Sequence, residues 1–89
     1  MRIKGIIKKK ISERTGNGAN GEWKVATYLL ETVEMYPNRV VFEVFGSDRI
    51  AQLNLQEGSC YEVSYKFDAH EYNGAWYNRV RAYGAELVK

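Results

Sequence analysis

The seven residues Arg39-Val40-Val41-Phe42-Glu43-Val44-Phe45 constrain the chain more than any other stretch. Valine and phenylalanine dominate the run, with Pro37-Asn38 before it and Gly46-Ser47-Asp48 after it, which is the composition of a pleated, largely buried strand. Side chains alternate across a strand, so Val40, Phe42 and Val44 share a core face, while Arg39, Val41, Glu43 and Phe45 share the other. That second face carries opposite charges and a ring, so it reads as wet. An aromatic beside a guanidinium there can stack on a flat partner; the competing reading buries Phe45 under a helix or a partner subunit.

The flanking chain supplies further strands. From Ile3 to Ile11 apolar residues mix with lysines, two adjacent isoleucines break strict alternation at Gly5-Ile6-Ile7, and a glycine at such a break predicts a bulge or sharp bend in one long, curved strand. Lys4, Lys8, Lys9 and Lys10 fringe it, either as a solvated edge that discourages aggregation or as phosphate ligands. Residues 13–21, Glu-Arg-Thr-Gly-Asn-Gly-Ala-Asn-Gly, read as a flexible hairpin connection. Gly16, Gly18 and Gly21 match G-x-G-x-x-G, but a dinucleotide site needs a helix to follow, and Trp23 to Thr32 is aromatic and β-branched and reads as a second strand. A kinase-type glycine loop would need a far longer chain and catalytic triplets that are missing from this one.

Pro37 holds Tyr36 extended, which puts that ring at the tip of a short connection into the third strand. After Phe45, Ser47 is expected to cap a short helix over residues 48–53, with Ile50 and Leu53 on one face. Ser59 to Glu71 alternates as a half-buried fourth strand, with Tyr61, Val63, Tyr65 and Phe67 on one face and Cys60, Glu62, Ser64, Lys66 and Asp68 on the other. Asn73-Gly74 is a type I′ hairpin signal. It returns the chain as a fifth strand, Ala75 to Leu87, placing Trp76, Asn78, Val80 and Ala82 on one side and Tyr77, Arg79, Arg81 and Tyr83 on the other. A face of tyrosines and arginines is an interface or a stacking platform, not a core.

With 89 residues the chain has room for one domain, 1–89, and one core. No apolar run is long enough to span a membrane and the N-terminus does not read as a signal peptide, so a cytoplasmic protein is expected. The single cysteine, Cys60, has no disulfide, redox or zinc partner and reads as a half-buried strand residue. Thirteen basic against eleven acidic residues, net +2, permits nucleic acid as a partner without demanding it.

Three strands, one short helix and a two-strand hairpin cannot bury their apolar faces as an open sheet, so closure is the economical solution. The expected fold is all-β: a five-stranded Greek-key OB-fold barrel with one short helix between strands 3 and 4. That fold serves binders of single-stranded nucleic acid, oligosaccharides and proteins, and does not choose among them.

Three segments carry a resemblance. Residues Ala26-Thr27-Tyr28-Leu29-Leu30-Glu31-Thr32, Arg39 to Gly46, and Glu57-Gly58-Ser59 resemble successive segments of bacterial single-stranded DNA-binding proteins, which read approximately A-x-x-x-L-A-T, W-x-x-V-V-x-F-G and K-G-S. The chain is similar, more closely still, to a small uncharacterised bacterial and phage family of stand-alone domains related to them. The resemblance implies stacking positions at Tyr36, at Arg39 and Phe45, and at Tyr72; at Arg39 the family's tryptophan is replaced, and both hairpin loops are shorter.

Together these readings predict single-stranded DNA, or RNA, binding without a cofactor, small-molecule substrate or membrane. Tyr36, Phe45, Tyr72 and Tyr77 would stack on bases while Arg39, Arg79, Arg81 and the lysines of the first strand meet phosphates. Glu31, Glu34, Glu43 and Glu71 would oppose this. The alternative is a protein-interaction or oligomerisation module, with Val41, Phe45, Tyr77 and Tyr83 as its surface; a homo-oligomer is compatible with both. An enzyme is not expected. Asp68, His70 and Glu71 do not make a metal site or triad among neighbours, and Ser59 and Cys60 have no base close in sequence.

Overall fold

A computed structural model of the chain describes residues 1–19 and 21–88; Asn20, part of the expected loop, and Lys89 lie outside the described residues. The elements are β1 (Arg2–Gly18), β2 (Gly21–Thr32), β3 (Arg39–Phe45), α1 (Ser47–Leu53), β4 (Cys60–Tyr72) and β5 (Ala75–Leu87). The strands close in the order β1-β2-β3-β5-β4, which is the five-stranded Greek-key barrel of the OB-fold. All pairings are antiparallel except β3 with β5, which meet in parallel at one bridge, Glu43 with Arg81. No described helix is long and apolar enough to cross a membrane.

The core follows from the alternation. Ile7, Leu30, Phe42, Val44 and Val63 are fully buried, and each such side chain contributes roughly 1.5–3 kcal/mol through loss of apolar surface to water. Tyr28 and Phe42, directly opposed across β2 and β3, stack with ring centroids 5.6 Å apart. Ile50 and Leu53 of α1 pack against this cluster, as their helical spacing predicts. Asn73 and Gly74 both take positive φ, and β5 begins and ends where the turn signal and the alternation put it. Cys60 opens β4, half-buried.

Three sequence expectations need correction. Residues 13–18 are strand, not loop: β1 pairs with β2 without interruption from Ser12↔Thr27 to Gly18↔Gly21, so the connection shrinks to residues 19–20. The glycines permit this because Gly16 faces Trp23 directly, and a Cβ on Gly16 would overlap the indole. Next, the bends of β1 lie at Lys8 and Ile11, the two residues skipped in the register, and not at Gly5-Ile6-Ile7. Gly5 serves another purpose, since a Cβ there would stand 2.5 Å from the Glu31 carbonyl oxygen and from Leu30 Cδ2. At Gly5 β1 pairs with both β2 and β4, and the backbones approach too closely for a side chain. Finally, Ser47 is the first residue of α1 and does not cap it; Gly46 holds the cap position, without a side-chain hydrogen bond.

The two long hairpins outrun the barrel. β2 is flanked by β3 only as far as Val25, and beyond Asp68 and Arg79 the β4–β5 ribbon has no further strand beside it. Both continue as two-stranded arms.

Candidate nucleic-acid interface

Register brings distant residues into line on the outer face. Arg14 of β1 stands opposite Val25 of β2, and Val25 opposite Phe45 of β3. One rung along, Thr27 stands opposite Glu43, which bridges to Arg81 of β5. Directly opposed residues share a face, so four strands deliver side chains to one spot. The result is a cleft of about 290 Å³ lined by Arg14, Trp23, Val25, Glu43, Phe45, Arg79 and Arg81.

Its chemistry is two flat rings, three guanidinium groups and one carboxylate. Phe45 is 53% exposed although it ends a core strand, and the Arg81 guanidinium carbon lies 5.9 Å from its ring centroid, within cation–π range. Trp23 lies against Gly16 and remains partly exposed. The Glu43 carboxylate, with its side chain only 17% exposed, sits 3.3 Å from Arg14 Nη2 and 3.9 Å from Arg79 Nε. It therefore ties the β1–β2 arm to the β4–β5 arm through β3. Arg81 makes a looser pair with Asp68 at 3.8 Å.

Of the residues singled out in the sequence, Phe45, Arg79 and Arg81 meet in this cleft. Tyr77 and Tyr72 lie on the same face of the β4–β5 arm as Arg79 and Arg81, because Tyr72↔Ala75, His70↔Tyr77, Asp68↔Arg79 and Lys66↔Arg81 are direct pairs. Tyr77 is half exposed and its ring packs at a tilt on His70, with centroids 5.8 Å apart. Tyr72 stands at the tip of the arm, 63% exposed and about 20 Å from Arg81 along the strand. Tyr36 and Arg39 lie elsewhere. Arg39 begins β3 and Phe45 ends it, about 20 Å apart, and Tyr36 precedes Arg39. The Thr32–Asn38 backbone bond at 2.8 Å, reinforced by the Asn38 N–H donating to Thr32 Oγ1, pinches the β2–β3 connection and leaves Tyr36 81% exposed.

Sequence reasoning left Arg14 and Trp23 out of the site. Trp23 is legible as the aromatic that opens the second strand, but the residue that seats it, Gly16, reads as part of a loop. The lysines of β1 expected to meet phosphates, Lys4, Lys8, Lys9 and Lys10, do not line this cleft; β1 reaches it through Arg14, further along the strand.

Comparison with a solved structure supports the fold. The crystal structure of the mitochondrial single-stranded DNA binding protein Rim1 from S. cerevisiae superposes with a TM-score of 0.74 at 18% identity, covering 100% of this chain and 94% of that one. No curated protein matches the sequence. The model of a family described as a domain of unknown function, DUF3127, matches residues 2–86, so the chain belongs to that family.

Proposed function

We propose that the protein binds single-stranded nucleic acid, DNA in the first instance, across the cleft between its two arms. The observation that carries this reading is the convergence of Trp23 and Phe45 with Arg14, Arg79 and Arg81 from four strands of the barrel's outer face. Unpaired bases stack on flat rings irrespective of sequence, while guanidinium groups meet phosphates; each stacked base is worth about 1–3 kcal/mol. Tyr77 and Tyr72 extend the same face along the β4–β5 arm and would take further bases. The likeness to a single-stranded DNA-binding protein supports the reading at the level of fold. Glu43 moderates it, because strand phosphates must compete with its carboxylate for Arg14 and Arg79.

The test is fluorescence anisotropy of labelled oligothymidylate and of a duplex of equal length, at low and high salt, with quenching of Trp23 as a second readout. Salt-sensitive binding of the single strand, much tighter than of the duplex, is expected. No binding of the single strand at low salt and high protein concentration defeats the reading.

Self-association is a second reading favoured by one observation. The opposite face of the β4–β5 arm exposes Phe67 at 58% and Trp76 at 69%, and a two-stranded ribbon is marginal in water unless something covers it. Sedimentation equilibrium should then give a homo-oligomer that Phe67→Ser dissociates; a wild-type monomer at every concentration removes this reading.

A further inference from the structure

On the far side of the Arg81–Phe45 pair lies a second hollow of about 290 Å³, lined by Phe45, Arg49, Lys66, Arg81, Ala82 and Tyr83. It shares Phe45 and Arg81 with the cleft, so two hollows adjoin across one ring. They differ in charge. The cleft holds Glu43 among its guanidinium groups, whereas the second hollow is lined by three cations and no carboxylate. Arg49 and Lys66 make no ion pair among the described residues, and the one acid paired with Arg81, Asp68, is 55% exposed and 3.8 Å away.

Two further features lie at the rim of this hollow. Lys66 and Arg81 are direct cross-strand partners, an arrangement of like charges that costs stability. Tyr83 is the extra residue of a β-bulge, skipped between Ser64↔Gly84 and Tyr65↔Ala82, and it stands 48% exposed at the rim of the hollow. Bulges commonly re-aim a side chain beside a site.

We infer that Arg49, Lys66 and Arg81 form a phosphate subsite. It rests on the proposed function and adds a direction to it: the strand crosses the barrel over Phe45, from the β1–β2 arm towards α1, and does not run along β3 towards Arg39 and Tyr36. One backbone phosphate sits among the three cations, the neighbouring bases stack on Phe45 and Trp23, and the Tyr83 phenol borders the sugar. A free phosphate or pyrophosphate presents the same chemistry, and the experiment separates the two sources.

Oligothymidylate affinity is measured against salt for wild type, for Arg49→Gln/Lys66→Gln, and for a control of equal charge change outside both hollows, Lys8→Gln/Lys9→Gln. Since the subsite holds one phosphate and only Arg81 remains to meet it, the first variant should flatten the slope of log K against log salt by up to ~0.7, while the control keeps the wild-type slope. Wild-type binding with an unchanged slope in Arg49→Gln/Lys66→Gln overturns the subsite and leaves the cleft standing. In parallel, wild-type protein is titrated with pyrophosphate and followed by amide chemical shifts. Shifts centred on Arg49, Lys66 and Arg81 support the subsite without relying on any variant. If the oligonucleotide fails to bind, the proposed function falls; pyrophosphate shifts at these residues then identify a free-phosphate site, and their absence overturns the subsite as well.

Discussion

The Arg81 guanidinium lies over the Phe45 ring, 5.9 Å from its centroid, and these two residues are the ones shared by both hollows on the outer face. Phe45 ends β3 with half its surface in water, so its ring adds little to the core and, on the proposed function, is free to stack on a base. Phe45→Leu, which keeps the apolar bulk and removes the flat face, should weaken oligothymidylate binding roughly 5- to 150-fold, the equivalent of one base stack. The melting temperature should move little. Anisotropy titration and a thermal melt check the two halves of that expectation.

Glu43 acts in the opposite direction. Its carboxylate is held between Arg14 and Arg79, and a bound strand must free those cations for its phosphates. Glu43→Gln should tighten binding at low salt and steepen its salt dependence, while costing up to about 1 kcal/mol of stability, as expected for ion pairs to exposed partners. Affinity measured across a salt series, alongside urea unfolding, tests this. A loss of affinity would mean instead that the carboxylate accepts hydrogen bonds from base amino groups.

Gly16 is the floor on which Trp23 rests. Gly16→Ala puts a methyl group where the indole lies, so the ring must swing away from the β1–β2 arm. Tryptophan emission should change in the unliganded protein, and affinity should fall about fivefold, as for a stack worth ~1 kcal/mol. An unchanged spectrum and affinity would show that the indole does not need this seat.

Gly5 tests the barrel and leaves the cleft alone. Gly5→Ala brings a Cβ to 2.5 Å from both the Glu31 carbonyl oxygen and Leu30 Cδ2, and the backbone on that side cannot yield without disturbing the β1–β2 ladder. Overpacking of this kind costs about 1–3 kcal/mol. In a domain of this size each kcal/mol lowers the melting temperature by roughly 4–8 °C. Calorimetry checks it, and the oligonucleotide affinity of the folded fraction should be unchanged.

The parts of the fold legible in the sequence are those fixed by neighbours. The Val40-Phe42-Val44 face of β3 and the Asn73-Gly74 turn are decided by alternation and by positive φ, and both are where those rules put them. Residues 13–18 were misread because glycine marks a loop when seen alone, whereas Gly16 is in a strand to admit the ring of Trp23. Likewise Gly5 signals close packing, and the bends of β1 fall on Lys8 and Ile11, whose composition gives no hint of them. The site was partly legible for a different reason. Phe45, Arg79 and Arg81 stand out as stacking and phosphate-binding types in outward strand positions, but their association with Arg14 and Trp23, and the separation of Tyr36 and Arg39 from them, follow from the closure of the sheet.

That closure rests on very little. β3 and β5 are joined by the single bridge Glu43↔Arg81, at the very place where a strand of nucleic acid would lie. A ligand spanning both edges acts as a clasp on an almost open hoop. Occupancy should therefore slow amide exchange along the seam itself, so that the barrel becomes most rigid when it is loaded.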